Sequence, residues 1–110
     1  MDDASLTDLA DDHMRIAADS SSGRSSHTVY GGSGHRLRQT LMALAASRRL
    51  DEHENPGEAT LQVLRGRVRL SSGEQSWEGG PGSYAVIPPG RHALEALTSC
   101  AVLLTVVPTA

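Results

Sequence analysis

From Thr28 onward, apolar residues recur at every second position or in short unbroken runs, and Gly or Pro interrupts them at regular intervals. Period-2 alternation marks a strand with one buried face, and a short apolar run bounded by turn signals fits a strand covered on both. The segments so defined are 36–46, 51–55, 60–65, 67–72, 75–78, 83–87, 92–97 and 101–107. Turns fall at Pro56-Gly57, Gly66, Ser72-Gly73, Gly79-Gly80-Pro81-Gly82 and Pro88-Pro89-Gly90, which supply the positive or fixed φ that a reversal needs. This punctuation predicts an all-β sandwich or barrel.

Two segments, Leu41 to Ala46 and Ala101 to Val107, are apolar at nearly every position, so both of their faces should be covered. One face meets the core. The other is expected to meet a second copy of the chain, which makes a homodimer the expected assembly. Upstream the period changes. Leu6, Leu9, His13 and Ile16 stand at helical spacings between acids, predicting a short amphipathic helix over 4–18 that the Ser/Gly-rich stretch Asp19 to Ser26 then ends. The expected organisation is a helical appendage and linker over 1–26 and a barrel over 27–110.

Composition narrows the picture. A chain of 110 residues has room for one core. With two Tyr, one Trp and no Phe, that core must be built from Leu, Val, Ile and Ala. All ten basic residues are Arg and the formal charge is −3, which argues against nucleic acid as a partner, because phosphate neutralisation needs a dominant basic face. Arg65, Arg67 and Arg69 are the nearest candidates, and Glu74 and Glu78 across a hairpin are expected to pair with them. A single cysteine, Cys100, cannot close an internal disulfide, and the start of the chain lacks the pattern of a secretory signal. The longest apolar run is too short to cross a bilayer. A soluble, cytoplasmic protein with no membrane partner is the expectation.

Leu50-Asp51-Glu52-His53-Glu54-Asn55-Pro56-Gly57-Glu58-Ala59-Thr60-Leu61-Gln62-Val63-Leu64-Arg65-Gly66 resembles the first motif of the cupins. That motif runs Gly, five residues, His-x-His, a few residues, Glu, six residues, Gly. Ser47 stands at its first Gly, His53 at the first His, Asn55 at the second, Ala59 at the Glu, and Gly66 at the end. Gly82 to His92 is similar to the second motif, one residue short before the His. The resemblance covers about half of the chain and implies a double-stranded β-helix of the jelly-roll type, with a short N-terminal helix added here.

It also implies a site. In that family the second-motif His lies beside the first-motif ligands, which would bring His92 to His53 and Asn55. The family set of three His and one Glu suits Fe, Mn, Ni, Zn or Cu. Two of those four ligands are kept, so a divalent metal is expected to bind weakly or not at all. Asn55 could offer a carbonyl oxygen, Glu58 could replace the lost carboxylate if it turns inward, and Gln62 is a further polar candidate in an apolar strand. As plain sequence, His53 between two acids also fits a surface histidine. His13, His27 and His35 carry less weight, Tyr84 and Trp77 fit core packing as well as a ligand cavity, and Cys100 reads as a buried, inert thiol.

Three function classes follow. The first is a binding module whose pocket of His53, Asn55, Gln62 and His92 takes a small organic ligand. The second is a metal-dependent enzyme of dioxygenase or isomerase type acting on a small oxygen-rich substrate, with His53, His92, Asn55 and Glu58 as ligands. The third, a stress or assembly scaffold, has no specific support. Whether Glu58 or Gln62 faces inward separates the first two.

Overall fold

The computed structural model describes residues 1–54 and 57–109. The described residues form one helix, α1 (Leu6–Asp19), and nine strands: β1 (Arg24–Tyr30), β2 (Arg38–Leu44), β3 (Arg49–Glu54), β4 (Gly57–Arg65), β5 (Val68–Ser72), β6 (Gln75–Gly79), β7 (Tyr84–Val86), β8 (Arg91–Ala96) and β9 (Cys100–Pro108). They assemble into two antiparallel sheets, ordered β1-β2-β9-β4-β7 and β3-β8-β5-β6. The eight segments expected from the pattern are all present, with ends displaced by at most three residues. β1 is additional. It begins at Arg24, inside the stretch read as linker, because its exposed Ser, His and Thr positions hide the period that pairing with β2 creates.

The inner faces of the sheets close on an aliphatic core of Leu44, Leu61, Val63, Val68, Leu94 and Val102, all at most 4 % exposed. Each fully buried Val or Leu contributes about 1.5–3 kcal/mol. In β4 the alternation is strict: Ala59, Leu61 and Val63 are buried, and Glu58 and Gln62 are exposed on the opposite face. Gly66 joins β4 to β5 at φ +74, and a Cβ there would stand 2.1 Å from the Ser99 carbonyl oxygen. Both facts require glycine.

Ser5 caps α1, its hydroxyl accepting the backbone N–H of Asp8 at 3.2 Å. The helix lies on the outer face of β2 and β9, where Ala10, Leu41 and Ala101 are fully buried and Leu9, Met14, Val29 and Leu64 pack around them. Small residues on helix and sheet permit this close approach. Two expectations are corrected. The outer face of the two wholly apolar strands is covered by the chain's own helix rather than by a second copy, so that observation no longer argues for a dimer. The buried helix face carries Ala10 and Ala17, and Ile16, expected on it, is 51 % exposed. Among the described residues no helix is long and apolar enough to cross a membrane.

Candidate functional site

β3 pairs with β8, and the register shifts between Leu50, opposite Leu94, and His53, opposite His92. Three steps along β3 thus match two along β8, which is a β-bulge. Without the extra residue, Leu50 and His53 would face opposite sides, because side chains alternate along a strand. The bulge turns His53 toward the side that Leu50 faces, and the two imidazoles meet with ring centroids 4.3 Å apart.

Their environments differ. His53 is exposed, and its Nδ1–H donates to the Asp51 carbonyl at 3.0 Å, which leaves Nε2 as an acceptor. His92 is 5 % exposed, and its buried Nδ1 makes no hydrogen bond of good geometry among the described residues, the Gly90 backbone interacting with the ring only weakly. Burial lowers the His92 pKa below the ordinary histidine value, the charge of His53 lowers it further, and the backbone of Gly90 offsets part of this. His92 is therefore a neutral imidazole near pH 7.

The pair closes one end of a cavity of about 20 Å³ whose remaining walls are aliphatic or thioether, with Met42, Leu50, Leu61 and Ile87 among them. That is room for about one water molecule. Met42 and Leu50 were not legible as site residues. Met42 sits in a wholly apolar strand with no phase to read, and Leu50 reaches the cavity only because the bulge follows it.

The other expected site residues lie elsewhere. Glu58 and Gln62 are on the outer face of β4, opposite Val107 and Leu103 on β9, since they share the parity of the exposed positions. Neither contributes to the cavity, so the pocket is not the polar one expected. Asn55 lies outside the described residues. Among the described residues no group of three His, Cys, Asp or Glu side chains converges as a metal site. Two imidazoles among apolar walls do not fit the three or four ligands with which a first-row metal is held tightly.

Arg69 makes the expected cross-strand pair with Glu78 at 3.0 Å and a further one with Glu95 at 3.2 Å, whereas Arg65 meets Asp11 of α1 at 3.2 Å. The three arginines do not form one track. Cys100 is fully buried, and burial pushes its thiol pKa up to about 11, so it is inert as a nucleophile near neutral pH. His35 is exposed beside Tyr30. His13, against Ser25 and His27, belongs to the packing of α1 on β1. Trp77 packs against the core, and Tyr84 is 59 % exposed.

No family model matches the chain, and no curated protein matches it at a significant level. Solved structures do. A conserved protein of unknown function from Streptococcus pyogenes superposes with a TM-score of 0.73 at 25 % identity, over 83 % of this chain and 79 % of that one. A cupin superfamily protein from Desulfitobacterium hafniense gives 0.72 at 17 % identity over 78 % of each chain, and an RmlC-like cupin from Desulfovibrio desulfuricans gives 0.66 at 22 % over 77 % and 82 %. Two antiparallel sheets closed on one aliphatic core, with these neighbours, define a jelly-roll barrel. The chain has the fold of the small cupins.

Proposed function

We propose that this chain is a binding module: the barrel presents the His53–His92 pair to a small organic ligand, and any divalent metal binds there weakly without serving as a resident catalytic centre. The observation that carries this reading is the buried, unpartnered Nδ1 of His92. An unsatisfied buried polar group costs about 1–3 kcal/mol, and a ligand group bonded to it would remove that cost. Size limits the occupant. A cavity of about 20 Å³ is far below the roughly 300–1,000 Å³ of sites that enclose whole drug-sized ligands. Only one functional group can enter, so the ligand's body lies at the mouth, over Met42 and Leu50.

Metal-dependent catalysis of the dioxygenase or isomerase type is the second reading, and the convergence of two imidazoles at 4.3 Å favours it. Elemental analysis of untagged protein, purified without chelator and compared with the His53→Ala, His92→Ala double variant, separates the two. The binding-module reading expects well under one metal per chain in both proteins. Near-stoichiometric metal that disappears in the double variant would overturn it in favour of the enzyme.

A further inference from the structure

The two sheets leave an open seam where their edge strands β1 and β3 run past each other. Two adjoining clefts of about 430 and 440 Å³ lie along it and share Ser22 and Arg24. The first has Met42 and Leu50 in its wall, the residues that also wall the imidazole cavity. The second adds Ser47, Arg48, Arg49 and Asp51.

Three arginines thus line this cleft with one acidic residue, on a chain whose formal charge is −3. Elsewhere Arg15, Arg65, Arg69 and Arg91 each hold a carboxylate, and Arg36, Arg38 and Arg67 hold none among the described residues. At the seam Arg49 reaches Asp51 at 3.6 Å, the Arg48 side chain donates only to the Ser21 carbonyl at 3.5 Å, and the Arg24 side chain has no partner among the described residues. The backbone is shaped around these groups. Gly23 takes φ +69, and a Cβ on it would stand 2.4 Å from Arg48 Nε, so glycine lets the guanidinium lie across the turn. Ser47 is the one non-glycine residue with positive φ among the described residues, at +70. Glycine there would avoid the steric cost of the left-handed region, whereas serine adds a hydroxyl to a residue that lines the cleft.

From this juxtaposition we infer that the seam is a binding site for a small organic anion: its carboxylate or phosphate head is held by Arg24, Arg48 and Arg49 with the hydroxyls of Ser22 and Ser47, and its apolar body lies on Met42 and Leu50. Planar guanidinium donors match both head groups in geometry, and neutral polar ligands would leave them unsatisfied. The inference rests on the binding-module reading for the place of the apolar body, while its anchor is a different set of residues.

The test is a backbone amide NMR titration of the full chain with sodium hexanoate, acetate and hexyl phosphate, against sodium chloride at equal ionic strength. Saturable shifts are expected over residues 22–26 and 47–51, with hexanoate at least about tenfold tighter than acetate because its extra methylenes are buried. Hexanoate against hexyl phosphate identifies the head group. Arg24→Gln and Arg48→Gln should each weaken binding about tenfold or more, and Arg67→Gln, away from the seam, should not. Ser47→Gly should weaken binding while raising the melting temperature, a combination that a merely structural role would not produce. Shifts no larger than those in chloride, or wild-type affinity in the Arg24 and Arg48 variants, would overturn the inference. Shifts confined to His53, Ile87 and His92 and indifferent to the arginines would overturn it and leave the binding-module reading standing. Arginine-dependent binding that survives His53→Ala, His92→Ala would uphold the seam and remove the imidazoles from the ligand.

Discussion

His53 and His92 are direct partners across the β3–β8 ladder, with rings 4.3 Å apart, yet the first is open to water and the second is 5 % exposed. The contrast separates their roles. A ligand meets the accessible Nε2 of His53 without cost, whereas His92 holds a buried polar atom that the folded chain leaves unsatisfied.

Replacing His92 by leucine should therefore stabilise the empty protein. The side chains are close in volume, and the substitution removes the orphaned Nδ1, so a gain of about 1–2 kcal/mol at pH 7 is expected. Chemical denaturation of both proteins measures it. A loss of stability would mean that the imidazole is already satisfied.

The depressed pKa of His92 has a definite pH signature. As pH falls through the unfolded value of about 6.5, the unfolded chain takes up this proton before the folded chain does, and stability drops. The slope contributed by one such group reaches at most about 1.4 kcal/mol per pH unit, and it ends once the folded His92 titrates. Wild-type unfolding free energies between pH 7.5 and 5 should carry this fall, and the His92→Leu protein should lack it. Parallel profiles would show that the buried histidine titrates normally.

Ser47 holds φ +70, a conformation that costs L-residues about 1–2 kcal/mol and glycine almost nothing. Ser47→Gly should raise stability by about 1 kcal/mol even after allowing for glycine's greater freedom in the unfolded chain. Thermal melts suffice to check it.

Ala10 is fully buried between α1 and the β2–β9 face. Ala10→Asp places a charge in that contact and should cost about 3 kcal/mol or more, or release the helix. If the helix is released, Leu41 and Ala101 become exposed, and sedimentation should then show self-association. A monomer of unchanged stability would contradict the packing described.

The spacing of apolar residues and turn formers determined most of this architecture on its own. Alternation in β4 and the Gly66, Gly73 and Pro88-Pro89-Gly90 reversals are local properties of a few consecutive residues, and local sterics suffice to define them. Ser47, at a position where the resembling motif has glycine, does take the positive φ that glycine favours. His53 and His92 were also legible, through their motif context. The alternation of β4 was enough in principle to turn Glu58 and Gln62 outward, but their polar chemistry suggested the pocket. Only the tertiary structure decided the rest. The bulge that aims His53 depends on register against a strand some 40 residues away, and the cover over β2 and β9 depends on where α1 docks. The arginine seam joins residues from β1, the β2–β3 turn and β3 that no single period links. Register, docking and seam are set by long-range packing between segments, which a short window of sequence does not contain.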